Sequence, residues 1–372
     1  MIDPLRAIAP PVSTVRVRFA LEPAFNCAHS LGMMAYPEEN SGMSQWLAQT
    51  AARLSKDQAF NHQLLCRALY YVMDVSESWS SFPDYINHLE SLAPVALRDQ
   101  ALKQLTEPNH HWDVEMEAAD GQRALADLPY YLDYMARLYA RKAAEKAVSF
   151  DAALFVEAHR LLNDPVALKT FAVRHLRVMW NEYLAEEWER NLPMLQESVE
   201  AFTALEYRYQ GLAPLEAIRA VAGRDLSYAW ENENFGREMI FVPSAHFGPY
   251  LSLSLVSERQ ISRVIFGARL PEGARRRSVA LSRAELLVRV NALADENRLS
   301  ILEVLTSADE ICAQDIMQKL NLSQSATSRH LRQLVATGYV IERRRDVAKC
   351  YSLNPARLDD TLNALRRFLR MD

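Results

Sequence analysis

Hydrophobic and polar residues alternate over residues 14–21, the pattern of a strand with one buried face. Two short apolar runs, 239–242 and 263–266, lie much later in the chain, and both are bounded by proline or glycine, as strands often are. Between the first strand and these two runs, from about residue 43 to residue 230, hydrophobic residues recur at helical spacing. The pattern therefore predicts a mainly α fold, in which a largely helical N-terminal region carries a small β-sheet.

The C-terminal part has a second, more regular pattern. Four amphipathic helical segments are followed by two short strands and a final helix: 286–293, 298–305, 313–320, 324–334, 340–344, 349–353 and 354–369. In the second segment Leu299, Leu302 and Leu305 are expected to be buried. Helices followed by a hairpin predict a C-terminal winged helix-turn-helix. The predicted organisation is an N-terminal region over 1–268, a linker over 269–280 and a winged-helix domain over 281–372.

The linker contains a turn signal and then three consecutive arginines, Arg275, Arg276 and Arg277. They could touch a DNA backbone, or they could form an ordinary solvated segment. The sequence does not decide between these two interpretations.

The helix over 324–334 divides into two faces. Ser323 is suited to cap it, and Thr327, Leu331 and Leu334 fall on the face that points to the core. The opposite face carries short polar groups and arginine, which is what base edges and phosphates in a major groove require. These candidate DNA-binding residues are Gln324, Ser325, Ser328, Arg329 and Arg332.

The hairpin that follows is rich in basic residues. Arg343, Arg344, Arg345 and Lys349 are placed to hold phosphates or enter a minor groove. The charge distribution agrees with this prediction. Basic residues outnumber acidic ones by 19 to 13 from Arg263 onward, whereas the whole chain carries a net charge of −5. A basic end on an acidic body is expected when one domain alone meets DNA.

Two segments, 293–302 and 322–331, resemble the ArsR-type winged-helix family in sequence, and the resemblance covers about residues 281–370. Members of that family usually bind palindromic operators as dimers, repress transcription and release DNA when a signal is bound. The resemblance implies that Gln324, Ser325, Ser328 and Arg329 read bases while the hairpin holds the backbone. It also implies a homodimer formed through the first and last helices of the domain.

The metal-binding pattern found in many members of that family is incomplete. Cys312 stands where a first thiolate would be, but Gln314 replaces the second, and the segment 358–372 contains no histidine. One thiolate and a neutral amide make a poor site for a soft metal. No metal and no cofactor are therefore expected. The four cysteines are far apart in sequence and are expected to be reduced thiols.

Chemistry-bearing patterns are weak in the N-terminal region. It has no glycine-rich phosphate loop and no nucleophile elbow, and the close pairs Cys27/His29 and His110/His111 lack metal-site partners. Tyrosines and tryptophans are concentrated between residues 130 and 230, where they could line a ligand pocket or fill a helical core. In the distinctive loop 241–250, His246 could face a ligand or the DNA-binding domain, or simply cap a turn. No catalytic residues are predicted.

The sequence thus predicts a cytoplasmic, non-enzymatic regulator with no membrane-spanning segment. It would bind double-stranded operator DNA as a homodimeric repressor, and its DNA affinity would be modulated through the N-terminal region, with a small-molecule effector as a further partner. Two alternatives stay open, namely an enzyme domain fused to a DNA-binding tail and an architectural DNA-binding protein. Buried groups converging near Cys27 or His246 would favour the enzyme.

Overall fold

The computed structural model describes residues 14–36, 42–107, 117–143, 150–226, 230, 233–256, 260–271, 279–345 and 348–370. Within these residues the protein is mainly α-helical, with a four-stranded sheet in the N-terminal region and a three-stranded sheet in the C-terminal one. The fold class predicted from the sequence is confirmed. No helix among these residues is long and apolar enough to cross a membrane.

Helices make up most of the N-terminal region. They are α1 (Pro23–Met34), α2 (Gln45–Arg53), α3 (Lys56–Gln63), α4 (Phe82–Ser91), α5 (Pro94–Thr106), α6 (Gly121–Ala126), α7 (Leu128–Ala143), α8 (Ala152–Leu162), α9 (Pro165–Met179), α10 (Ala185–Thr203) and α11 (Pro214–Ala222). Short 3-10 segments lie at Tyr70–Met73 and Glu206–Arg208. A π-helical turn follows α3 at Leu64–Ala68, and a second follows α9 at Trp180–Leu184.

The N-terminal sheet contains β1 (Arg16–Phe19), β2 (Glu238–Ser244), β3 (Leu251–Val256) and β4 (Ile261–Gly267) in the order β1-β2-β4-β3. The strands β1, β2 and β4 are parallel, and β3 runs antiparallel to β4. The three strands predicted from sequence do form one sheet. The edge strand β3 was not predicted; all its residues are only partly buried.

Helices cover both faces of this sheet. On one face Met239 and Phe241 of β2 pack with Phe202 of α10 and Ile218 of α11. On the other face the intervening residues of β2 join the large core formed by α1–α9. Burial on both faces explains why β2 and β4 are continuous apolar runs whereas β1 alternates.

The aromatic residues of the helical middle serve mainly as core. Tyr131, Tyr134 and Tyr139 are buried among the helices, and Trp180 and Trp188 are partly buried against the same cluster. Tyr207 is exposed, and Tyr228 lies outside the described residues. Of the two interpretations of this aromatic concentration, the structure supports the helical core.

The C-terminal region has the predicted order of elements. They are α12 (Val279–Leu293), α13 (Glu296–Thr306), β5 (Ile311–Cys312), α14 (Ala313–Leu320), α15 (Gln324–Thr337), β6 (Val340–Arg345), β7 (Ala348–Leu353) and α16 (Pro355–Phe368). Leu302 and Leu305 are buried in its core, as expected. Leu299 is 52% exposed, so the prediction of its burial was wrong. Helical periodicity places it near the core face, but no element among the described residues covers it.

The segment predicted as a linker is partly packed. The hydroxyl of Ser198 donates to the carbonyl of Arg269 at 2.7 Å, and Leu270 contacts the small cluster around Leu195. The arginine run Arg275–Arg277 lies outside the described residues. The domain boundaries themselves stay a prediction.

Two buried histidines sit at the centre of the helical body, each shortly before a π-helical turn. The Nε2 atom of His62 lies 2.9 Å from the Leu31 carbonyl, so it must carry a hydrogen, and Nδ1 of the neutral ring then accepts from Nε2 of His175 at 3.2 Å. Burial lowers the pKa of His62 to about 4. Burial and the neighbouring His62 lower the pKa of His175 to about 3.

This pair predicts acid sensitivity. Both folded-state pKa values lie below the ordinary value of about 6.5, so the unfolded chain binds protons first as the pH falls. The free energy of unfolding should decrease by several kcal/mol between about pH 6.5 and pH 3, since one pKa unit corresponds to ~1.4 kcal/mol. Chemical denaturation at successive pH values measures this. In the double variant His62→Gln/His175→Gln, the free energy of unfolding should depend less steeply on pH over this range. His88→Gln, at a half-buried residue of α4, should keep the pH dependence of the wild type. An unchanged slope in the double variant would contradict the assignment.

Candidate nucleic-acid interface

The helix α15 is held at both ends by local interactions. The Ser323 hydroxyl accepts a hydrogen bond from the Ala326 backbone N–H at 3.2 Å, which makes Ser323 the N-cap that the sequence predicts. At the other end Gly338 adopts φ 83°, a left-handed conformation that terminates the helix. Thr327, Leu331 and Leu334 are buried, so the inward face is confirmed.

The outward face of α15 begins as expected. Gln324, Ser325, Ser328 and Arg329 are all exposed at its N-terminal half. The Ser325 hydroxyl lies 3.2 Å from the Ser323 hydroxyl. The structure thus brings together one amide, two hydroxyls and one guanidinium on an accessible helix face, where they could hydrogen-bond base edges.

Arg332 differs from this group. It is half-buried, and its guanidinium carbon lies 5.7 Å from the ring centroid of Tyr250, in the loop that follows β2. The next residue, Gln333, is fully buried, and an added Cβ on Gly42 would lie only 2.8 Å from its amide nitrogen. The C-terminal half of α15 is therefore covered by the N-terminal region. No pattern within α15 could have indicated this, because the covering residues lie far away in sequence.

The wing is a two-stranded antiparallel hairpin formed by β6 and β7. Arg344 lies directly opposite Lys349 in the register, and Arg343, Arg344, Arg345 and Lys349 are all exposed. The wing therefore carries two like charges directly opposite each other on the same hairpin. The tip residues 346–347 lie outside the described residues.

The base of the wing is covalently attached to the rest of the domain. Strand β5 pairs with β7, and a disulfide joins Cys312 to Cys350 at the register where they face each other. The expectation of four reduced thiols was therefore wrong for this pair, because a separation of 38 positions in the sequence hid a cross-strand contact. Cys27 and Cys66 are free and buried. Among the described residues, no group of three or more His, Cys, Asp or Glu side chains is arranged to hold a metal.

The loop 244–250, which follows β2 and contains His246, holds Tyr250 in place. The ring of His246 lies 2.8 Å from the Ser30 hydroxyl through Nδ1 and 3.1 Å from the Glu187 carboxylate through Nε2, and Trp46 stacks on it at 4.6 Å. The His246 carbonyl accepts from the Ser44 backbone N–H at 3.1 Å. This network joins the loop to three separate helices or their caps, and it fixes the residues that lie against α15.

The contact of serine, histidine and carboxylate also resembles a nucleophile with its base and orienting acid. Ser30, His246 and Glu187 are, however, all buried, and the Ser30 hydroxyl donates to the Asn26 carbonyl at 2.9 Å. Burial also raises the pKa of the nearby Cys27 thiol above its ordinary range. A buried, fully engaged network of this kind is suited to holding a loop. His110 and His111 lie outside the described residues.

Comparison with known proteins identifies the C-terminal region. The family model described as "Bacterial regulatory protein, arsR family" matches residues 295–342, which span α13 to the start of the wing. An arsenical resistance operon repressor of Staphylococcus aureus is 36% identical over 85 residues, or 23% of this chain and 81% of that protein. The chain belongs to the ArsR family.

Two other ArsR relatives show the same partial match. An arsenical resistance operon repressor of Staphylococcus xylosus is 35% identical over 79 residues, covering 21% of this chain and 75% of that protein. The arsenic resistance transcriptional regulator ArsR2 of Pseudomonas putida is 39% identical over 64 residues, covering 17% of this chain and 56% of that protein. These matches concern the C-terminal region. They support an ArsR-family DNA-binding domain there and give no information about residues 1–268.

Proposed function

We propose that the protein is a homodimeric transcriptional repressor that acts in the cytoplasm and binds double-stranded operator DNA. The observation that carries the proposal is the shared accessibility of the outward face of α15 and the basic wing. Gln324, Ser325, Ser328 and Arg329 would read base edges. Arg343, Arg344, Arg345 and Lys349 would contact phosphates or a minor groove, as the sequence predicts.

Arg332 would join these DNA-contacting residues only after the N-terminal region releases it from Tyr250. Its guanidinium is now over the Tyr250 ring, next to the helix face that would enter the groove. We therefore propose that the N-terminal region modulates DNA affinity by competing with DNA for Arg332. A small-molecule effector that alters the position of the 244–250 loop would then alter repression. Buried groups do converge near His246, the arrangement that would favour an enzyme. We nevertheless propose that they hold the loop, because the Ser30 hydroxyl donates to the Asn26 carbonyl and the Glu187 carboxylate is engaged by His246, Arg190 and Asn191.

Apolar side chains on the first and last helices of the winged-helix domain support a dimer. Leu287 of α12 is exposed, as are Leu362 within α16 and Phe368 and Leu369 at its C-terminal end, and the two helices pack against each other. Several large exposed apolar side chains on two helices that pack together are a candidate interaction surface. A second copy of the chain is the partner that the family implies.

Two arginine substitutions should separate base reading from backbone contact. Arg329→Ala should weaken binding to the chain's own upstream DNA by ~1–3 kcal/mol and leave binding to a scrambled duplex nearly unchanged. Arg344→Ala should weaken both, and should reduce the dependence of log affinity on log salt by about one. Fluorescence anisotropy at two salt concentrations measures both effects. Arg160→Ala, at an exposed arginine of α8 paired with Glu157, is the matched control. Specific binding that survives Arg329→Ala would refute the proposed orientation of α15.

The dimer surface can be tested with one leucine. Leu362→Glu places a charge on the exposed apolar side of α16 and should convert the protein to a monomer of 42.4 kDa in light scattering after size exclusion. The control is Leu299→Glu, because Leu299 is equally exposed but lies on α13. A mass unaffected by Leu362→Glu, or a wild-type monomer, would rule out this surface as the dimer interface.

The contact of Tyr250 with Arg332 should restrain DNA binding. An exposed or partly exposed cation–π contact is worth ~0.5–1 kcal/mol, so Tyr250→Leu should raise DNA affinity about two- to fivefold. In an Arg332→Ala background the same change should have no effect, because the competing group is gone. Tyr207→Leu, at an exposed tyrosine, is the control. An equal effect of Tyr250→Leu in both backgrounds would contradict modulation through Arg332.

A further inference from the structure

A cavity lies between the N-terminal region and the winged-helix domain, beside their direct contacts. Its volume is about 440 Å³, within the range of small-molecule sites. One wall is the end of α11 and the following turn, with Arg219 and Arg224, and the opposite wall contains Gly338, Asn354 and Arg357. The cavity therefore touches the end of the recognition helix α15 and the start of α16.

Positive charge predominates around this cavity. Arg219, Arg224 and Arg357 line it, and the Arg269 guanidinium lies against Gly223 in its wall. The acidic residues of the lining are Asp225, which is exposed, and Glu342, which accepts a hydrogen bond from the Tyr351 hydroxyl. Nearby, Glu285 faces Arg289, Arg269 and Arg357. Arginines thus outnumber carboxylates among the groups that face the cavity.

The two central arginines make their hydrogen bonds to neutral groups, and each has one carboxylate nearby, Asp225 for Arg224 and Glu285 for Arg357. Arg224 donates to the carbonyls of Asp225 and Pro249, at 3.0 and 3.1 Å, and Arg357 donates to the Thr337 carbonyl at 3.0 Å. All of these acceptors are neutral backbone groups. Burial, together with Arg269 and Arg357, lowers the pKa of Arg224 to about 10. Burial, together with Arg289 and Arg269, lowers the pKa of Arg357 to about 10. Because arginine stays charged near neutral pH and Glu285 is shared among Arg269, Arg289 and Arg357, a bound anion would relieve repulsion that the carboxylates of the protein only partly offset.

We propose that this cavity binds a small, multiply charged anion bearing phosphate or carboxylate groups, held by Arg224, Arg357 and Arg219. Guanidinium groups hold both kinds of group through paired hydrogen bonds. The first residues of α16, capped by Asn354, add the positive end of a 14-residue helix to the same wall.

The site is placed to act on DNA binding, and this part of the inference rests on the proposed function. Arg224 holds the Pro249 carbonyl, immediately before Tyr250, which contacts Arg332. Arg357 holds the Thr337 carbonyl in the last turn of α15. An anion that draws Arg224 and Arg357 together would therefore move the covering loop and the end of the recognition helix relative to each other.

Isothermal titration of the full chain tests the site, with pyrophosphate and citrate as probes and sodium chloride at matched ionic strength as the blank. At least one probe should bind at one molecule per chain; preference for pyrophosphate indicates a phosphate ligand and preference for citrate a carboxylate ligand. Arg224→Gln should weaken binding at least tenfold. Arg219→Gln, at an exposed side chain that folding does not require, should weaken it severalfold. Arg344→Gln, on the wing, should leave binding unchanged.

Three results would overturn the proposal. They are failure of both probes to bind the wild-type chain, undiminished binding in Arg219→Gln and Arg224→Gln, and a loss of binding in Arg344→Gln, which would place the anion on the wing. Anisotropy on upstream DNA separates the two proposals. Selective DNA binding without anion binding would leave the repressor intact and remove the site. Anion binding without selective DNA binding would keep the anion site and refute the repressor. Anion binding that leaves DNA affinity unchanged would refute the proposed effect of the anion on DNA binding.

Discussion

The contact between Glu187 and His246 determines how the two regions meet. A carboxylate buried in a protein is costly unless its oxygens are paired, and Glu187 satisfies this need with His246, Arg190 and Asn191. His246 is thereby drawn towards α10, and the rest of the 244–250 loop is placed with it. Tyr250 and the Pro249 carbonyl, which contact Arg332 and Arg224, lie within four residues of this histidine. The contact of Tyr250 with Arg332 and the hydrogen bond of Arg224 to Pro249 thus both depend on a loop that this buried pair holds.

A second constraint comes from the parallel sheet. Parallel strands cannot be joined by a tight hairpin, and their faces must be covered by helices. The connection from β1 to β2 supplies this cover, because it contains α1 through α11. The helical region is thus a single insertion between two neighbouring strands, and the loop after β2 emerges from the sheet at the surface on which the winged helix lies.

Much of the architecture could be predicted because it follows from local rules. The alternation of Val15, Val17 and Phe19, the cap at Ser323 and the inward positions of Thr327, Leu331 and Leu334 each depend on neighbours within one element. The accessible faces of α15 and the wing follow from the same periodicities. At these positions the residue types and their spacing were sufficient to predict which side chains are buried, which cap a helix and which are exposed.

The features that sequence reasoning missed depend on partners distant in the chain. Leu299 has the spacing of a core residue but no element among the described residues lies over it, and Arg332 has the spacing of a groove residue but Tyr250 lies over it. Cys312 and Cys350 meet only because β5 pairs with β7. The arginines of the cavity come from α11 and the turn after it, the segment after β4, and α16, and no local pattern indicates that they share a space.

The insertion of the helical body between β1 and β2 has a consequence for biosynthesis. Arg18 of β1 is bonded to Glu238 of β2 across 220 positions in the chain. At about 5–20 residues per second, a ribosome needs on the order of 10–45 s to produce the partner of the first strand. During that interval β1 has no sheet to join and the helices of the large core must assemble without it. Closure of the sheet, and with it the placement of the 244–250 loop, is therefore a late event in folding, after most of the helices have been made.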